Sequence, residues 1–325
     1  MLKVFFTVDV EVWTGGWDRL DERFPDAFRR HVYGKTRTGD WGLPRKLSIL
    51  NEHGLRGVFF VEPLFALRFG LAPLQEVVGL IQEAGHEIQM HLHTEWVDEA
   101  REPILSRTSR KRPHLHEFTP AEQLCLLQEA RRLLADAGAT GISAFRAGSF
   151  GMDLATLEAV GAAGLAVDSS YNAMLAASRP EFERFGLAHQ PFREGAVVEY
   201  PMTVYRDGGG RLRHLQLTAC SSDEMEDILQ QGADAGWEAA VLLSHNFELL
   251  NQARNAAEPI VVERYLRLAR FLSRHGDRFE TRGFEGLVPE PVSVQPPLAH
   301  ASLGSFMMRN IEQAWSRLRD LVGMD

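Results

Sequence analysis

The sequence predicts an α/β fold of parallel strands with helices packed outside them. Three observations carry the prediction. Short apolar runs of strand length alternate with helical patterns in more than five successive units. Polar residues collect at the C-terminal ends of the apolar runs, where parallel α/β folds place their sites. The chain has 325 residues, 45% hydrophobic and 24% charged, enough apolar material for one large α/β domain or for two. That many units favour a barrel or a wide sheet.

Residues 2–10 are a strand by composition, and 43–53 read as a helix stopped by Gly54. Residues 57–62 form a second strand, 71–84 a helix stopped by Gly85, and 86–92 a third strand. Thr119-Pro120-Ala121-Glu122 is a capping box with proline at the first helical position, opening a helix that runs to Gly138. A strand at 143–146, a helix at 153–163 and a strand at 165–167 follow. Further strands are expected near 197–200 and 214–219, a helix over 222–235, a strand over 239–244 and a helix over 259–275. From Gly276 the pattern weakens. Residues 288–297 hold four prolines and read as an extended linker. Residues 302–322 carry Phe306, Ile311, Trp315, Leu318 and Leu321 at helical spacing, a tail helix suited to dock on the body or on a partner, including a second copy of the chain. The chain therefore reads as a main domain over 1–275 and a linker with an amphipathic helix over 276–325.

A net charge of −9 argues against a general nucleic-acid binder. Two cysteines, Cys125 and Cys220, exclude a disulfide scaffold and a Cys-rich zinc site, and both read as small buried apolar residues. The N-terminal apolar run is short and ends in Asp9 and Glu11, a buried strand rather than a signal peptide. The longest candidate for a membrane span, 58–74, is interrupted by Glu62 and Arg68. A cytoplasmic protein is expected.

Alternation along the first strand sends Asp9 and Glu11 to one face, and two carboxylates at one strand end are costly unless a cation or a shared proton separates their roles. By the same rule His91 and His93 share a face of the third strand, with Glu95 just beyond it. Imidazole and carboxylate ligands suit zinc and similar divalent ions. Arg146 ends another strand before small residues and is suited to clamp a carboxylate. Asp168 and His245 finish two later strands, and an imidazole such as His245 is expected to be able to transfer protons near neutral pH. The long segment 97–118 carries Arg107, Arg110, Lys111, Arg112 and His114, a solvated charge run or a binder of an anionic group such as a sugar phosphate. The second His-Leu-His, at His114 and His116, lacks a carboxylate strand end and is not expected to hold a metal.

In this order the motifs resemble the polysaccharide deacetylase family, also called the NodB homology domain or carbohydrate esterase family 4. They are most similar to its WalW-type branch, associated with lipopolysaccharide biosynthesis. The resemblance covers roughly residues 1–275 and makes that stretch a deacetylase-like catalytic domain. It implies a distorted, incomplete parallel β/α barrel and one divalent metal ion, zinc first, with cobalt, nickel or manganese as alternatives. By match to an Asp-x-Asp variant of the family's first motif, the resemblance makes Asp9 the catalytic base and Glu11 a metal ligand, and by the second motif His91 a second ligand. The third ligand is His93 by strand geometry or Glu95 by family spacing. Arg146 matches the arginine that orients the base, with Gly148 where many members have proline. Asp168 matches the fourth motif loosely, and His245 matches the general acid. The implied reaction is removal of acetyl from an N-acetylated sugar or glycan intermediate. Two alternatives stay open: an amidohydrolase acting on a small non-sugar amide, and a degenerate glycan-binding module without activity.

Overall fold

The computed structural model describes residues 1–106, 110–176 and 179–322, apart from the side chains of 316–318 and 320–322. The chain opens with β1 (Leu2–Val10), α1 (Leu20–Phe28), a π-type turn at Arg29–Tyr33, the short pair β2 (Lys35–Thr36) and β3 (Gly39–Asp40), and α2 (Leu43–Glu52). Next come β4 (Gly57–Val61), α3 (Ala66–Phe69), α4 (Leu71–Glu83), β5 (Glu87–Leu92), α5 (Pro120–Asp136), β6 (Ala144–Ala147), α6 (Leu154–Ala162), β7 (Val167–Asp168) and α7 (Ala173–Ala176). The remainder is β8 (Phe192–Glu194), β9 (Val197–Glu199), β10 (Val204–Arg206), β11 (Leu212–His214), α8 (Ser222–Asp234), β12 (Ala239–His245), α9 (Pro259–Arg274), β13 (Phe279–Thr281) and α10 (Leu303–Val322).

Two compact units share these elements. The first comprises Met1–Gly57, Thr203–Arg282 and Pro296–Asp325; the second comprises Val58–Met202 and Gly283–Gln295. In the first unit β1 runs parallel to β12, in register from Lys3↔Ala239 to Asp9↔His245, and parallel to β13 at its start. Val4, Phe5, Phe6 and Val8 are all fully buried, as expected of a parallel strand covered on both faces. Phe6 meets Tyr265 of α9 edge-on, with ring centres 5.2 Å apart. In the second unit β4, β5, β6, β7 and β9 are parallel neighbours, and β8 returns antiparallel to β9. Registers His91↔Arg146 and Asp168↔Glu199 align polar residues at the strand ends.

Local chemistry explains most element boundaries. Thr119 Oγ1 accepts from Glu122 N–H, and the Glu122 carboxylate accepts from Thr119 N–H, which is the expected capping box of α5. Ser221 and Glu224 cap α8 the same way. The helix α1 escapes a periodicity reading because Pro25 and four charged residues interrupt it, although Leu20, Phe24, Ala27 and Phe28 bury one stripe. The expected strand at 214–219 is corrected. Leu215 and Leu217 exchange backbone bonds with Thr203 and Leu243, but Ala219 and Cys220 both donate to Gln216 O and turn the chain into the Ser221 cap. Regular pairing ends at His214, where β11 runs antiparallel to β10.

The tail helix departs from its expected polarity. Its charged face turns inward: Arg309 is buried between Asp207 and Glu224, and Glu312 pairs with Arg264 of α9 at 2.7 Å. Its apolar face turns outward: Leu303, Met307, Ile311 and Trp315, spaced by four, are 66, 62, 61 and 54% exposed. Of the apolar residues expected to dock, Phe306 is half-buried, Ile311 and Trp315 face out, and the side chains of Leu318 and Leu321 lie outside the described residues. Two buried carboxylates without a counterion would cost more than an exposed leucine, so the ion pairs set the orientation. No helix of the described residues is long and apolar enough to cross a membrane.

Candidate functional site

In the first unit the end of β1 and the end of β12 supply three functional groups. Asp9, Glu11 and His245 present ligand atoms that all lie within 4.8 Å of one another. His245 stands in register with Asp9, and its Nε2 lies 3.8 Å from Glu11 Oε1. On its other side Nδ1 is 2.8 Å from the buried Glu248 carboxylate. Burial pulls the imidazole down, but Glu11, Glu248 and Asp9 outweigh it and raise its pKa to about 9. Burial pushes Glu248 up, yet the bond and charge of His245, with help from Lys46, hold it below the ordinary carboxylate value.

Three further residues complete this region. Trp13 Nε1 donates to Glu11 Oε2 at 2.6 Å. Asn246 accepts from Glu11 N–H and donates to the carbonyls of Glu11 and His31, tying the end of β1 to the turn after α1. Lys46 of α2 is wholly buried, donates to Ser244 at 2.9 Å and lies 4.4 Å from the Tyr265 ring centre. Burial brings Lys46 down to about 8 against the pull of Glu248. Asn246 follows His245 directly and Glu248 sits one turn after it, spacings visible in the sequence; Lys46 reaches the site only through the fold.

In the second unit β5 and β6 carry the histidines and the arginine. His91 Nδ1 is 2.8 Å from the carbonyl oxygen of Arg146. A carbonyl only accepts, so Nδ1 carries a proton. His93 Nδ1 lies 3.2 Å from Glu95 Oε2, the same arrangement with a carboxylate as anchor. The side chain of Gly148 is excluded by His93, because a Cβ there would stand 2.7 Å from its Nδ1. This accounts for glycine where the family pattern has proline: the additional histidine fills the space.

Arg146 is fully buried, donates from Nε to Ser169 O and from Nη2 to Ser169 Oγ, and packs 4.2 Å from the centre of the Phe60 ring. Asp168 accepts from both Ser170 N–H and Ser170 Oγ at 2.9 Å and faces Glu199 across β7 and β9. Burial raises both carboxyls, and for Glu199 the charge of Asp168 adds to it. The cationic segment is largely spent on its own chain: Arg110 pairs with Glu117, Lys111 with Glu99 and Arg112 with Glu122, while Arg107 lies outside the described residues. His114 and His116 stack on each other, and among the described residues they join no cluster of metal-binding groups.

The donor chemistry fits a divalent metal ion. Each of His91 and His93 has its Nδ1 anchored by an acceptor, the arrangement that ligating histidines use. Glu95 is engaged as the anchor of His93 in that arrangement.

Burial also gives a pH dependence. His31 has its ordinary pKa of 6.5 lowered to about 4, first by burial and then by Arg254, and His214 and His189 shift the same way through burial. The folded chain thus refuses protons that the unfolded chain accepts. The His31 contribution is complete above pH 6.5 and is lost as the pH falls towards 4, by about 3 kcal/mol. Urea unfolding at pH 7.5 and 4.5 should show this loss in the wild type and a smaller one in His31→Asn. An equal loss in both would remove His31 as its source.

The α/β architecture has counterparts among solved structures. A crystal structure from Mycobacterium smegmatis, provisionally described as a polysaccharide deacetylase, is similar over 91% of this chain and 95% of its own, with 19% identity and a TM-score of 0.53. A 4-alpha-glucanotransferase from Thermococcus litoralis is similar over 99% of this chain and 46% of its own, with 8% identity and a TM-score of 0.52. A family 4 carbohydrate esterase from Streptomyces lividans, in complex with acetate, covers 90% of this chain and 98% of its own at 13% identity and a TM-score of 0.44. No protein-family model and no curated protein matches the chain. The fold class expected from the sequence, a distorted and incomplete parallel β/α barrel, is the fold of the Mycobacterium smegmatis structure.

Proposed function

We propose that this chain is a metal-dependent deacetylase that hydrolyses the acetamide of an N-acetylated sugar in surface-glycan synthesis, of the lipopolysaccharide-associated WalW type. One observation carries the reading: two histidines on one strand end, each anchored through Nδ1, in a fold shared with a structure described as a polysaccharide deacetylase. The ligand set is Glu11 and His91, which the family motifs imply, and His93, which strand geometry favours, with Glu95 assigned as the carboxylate partner of His93 rather than as a ligand. The bound ion, zinc before cobalt, nickel or manganese, supplies an activated water and a polarised carbonyl.

The chain's own groups do the rest. Asp9 takes the proton of the attacking water as its oxygen bonds to the acetyl carbon. His245 gives a proton to the sugar nitrogen as the C–N bond breaks, so the products are acetate and the free amine. Glu248 holds His245 through Nδ1, which aims Nε2 into the site. Arg146 keeps the orienting role its motif implies, and Asp168 supports it from the neighbouring strand through the segment that carries Ser169 and Ser170. The reading places the protein in the cytoplasm and lets it self-associate through the outward stripe of α10. Trp315→Glu should then shift its elution to the monomer position; an unchanged mass would end the self-association reading.

Elemental mass spectrometry tests the centre. The wild type should carry about one equivalent of metal. His91→Ala and His93→Ala should lose it, and Glu95→Gln should weaken affinity by about 10- to 100-fold. A wild type free of metal after incubation with zinc, cobalt or nickel would sink the reading. With metal present, an acetate-release screen separates acetylated sugars from non-sugar amides, and silence on both leaves a glycan-binding module.

A further inference from the structure

An open pocket of about 480 Å³ in the first unit adjoins the groups assigned above. Four arginines (Arg19, Arg23, Arg30 and Arg254) and two carboxylates (Glu22 and Asp26) line it, so its walls hold a surplus of positive charge in a chain of net −9. Arg19 pairs with Glu22, Arg23 with Asp18 at 2.9 Å, and Asp26 with Arg29 outside the pocket. Among the described residues Arg30 and Arg254 have no carboxylate partner.

Arg254 is nevertheless held in place. It donates to Nε2 of His31, whose own Nδ1 donates to Ala27 O at 2.8 Å, so a neutral buried imidazole steers the guanidinium without neutralising it. Its guanidinium lies 4.3 Å from the centre of the Phe247 ring. Its backbone takes the left-handed region, φ +54°, a strained conformation for arginine that persists where the surroundings impose it. Burial and the nearby charge of Arg30 both press on this guanidinium, and the Glu11 carboxylate offsets them only in part.

The pocket is one contact away from the reacting groups. Phe247 stacks on His245, with centres 5.5 Å apart and planes at 24°. Trp13 lines the pocket and donates to Glu11. Trp13 also meets Trp17 edge-on at 6.3 Å, offering a flat apolar surface of the kind a sugar ring covers.

We propose that this pocket is a subsite for an anionic substituent of the substrate, a phosphate or a carboxylate carried on the glycan, bound by Arg254 and Arg30 with Trp13 against the sugar. The inference rests on the deacetylase reading for its choice of a glycan. It moves anion recognition from segment 97–118, whose described cations are paired, to the α1 and His245 side.

Titration calorimetry on the full chain tests it without turnover. The probes are N-acetylglucosamine 1-phosphate, glucuronate and the uncharged methyl glycoside of N-acetylglucosamine. The wild type should bind at least one anion about tenfold or more tighter than the neutral sugar. Arg254→Gln and Arg30→Gln should each remove most of that preference, whereas Arg23→Gln, whose partner is Asp18, should keep it. Which anion is preferred distinguishes phosphate from carboxylate. No preference in the wild type, preference surviving in both variants, or equal loss in Arg23→Gln overturns the proposal. Circular dichroism checks each fold, and if Arg254→Gln unfolds, the exposed Arg30 decides. Anion preference without acetate release from any acetylated sugar would sink the deacetylase reading and leave the subsite standing; acetate release without the preference would do the reverse.

Discussion

Arg309→Met should destabilise the protein by about 3–5 kcal/mol. The Arg309 guanidinium, 3% exposed, donates from Nη1 to Glu224 at 2.7 Å and from Nη2 to Asp207 at 3.0 Å, and both carboxylates are almost wholly buried. Methionine fills similar volume but leaves two carboxylates without their cation. Glu224 also caps α8 through Ser221, so the loss spreads from the tail to a helix of the body. The whole triad need not be costly to replace: Arg309→Met combined with Asp207→Asn and Glu224→Gln should recover much of the stability, because no buried charge is then unpaired. Urea unfolding followed by circular dichroism reads both. A change under about 1 kcal/mol in the single variant would mean that water reaches these carboxylates and that α10 is held by something else.

Asp9→Asn and His245→Ala should each lower the rate of acetate release by about 10²- to 10⁴-fold, the usual cost of losing a general base or acid. The two side chains stand in register at neighbouring strand ends and serve one proton path, so the double variant should fall well short of the product of the single losses. Asp9→Asn should retain the bound metal, since it leaves Glu11, His91 and His93 intact. Unchanged turnover in either variant would overturn its assigned role. The fold by itself does not decide the reaction, because a glucanotransferase matches it as well as a structure described as a deacetylase. The side chains at the strand ends are what the assay interrogates.

Much of the site was legible in the sequence because strand alternation is a local property. Asp9 with Glu11 and His91 with His93 follow from a period of two, and the polar residues that end the apolar runs could be listed without any knowledge of pairing. What each of those groups leans on was not legible. Whether Glu95 is a ligand or an anchor depends on a 3.2 Å approach to His93 Nδ1, and the choice of Gly148 depends on where that ring lies. Arg254 and His31 are separated by 223 residues, so no spacing rule connects them.

By itself the sequence determined the alternation of strands and helices, the capping box at Thr119, and the kinds of side chain gathered at the strand ends. These depend on neighbours within a few residues, where backbone geometry and apolar periodicity suffice. Tertiary structure alone decided which way α10 faces, which cations are consumed in ion pairs, and which remain available. The physical reason is the same in each case. The free energy of a buried charge depends on the partner brought to it across the fold, and for Arg309 that term outweighs the amphipathic pattern of its own helix.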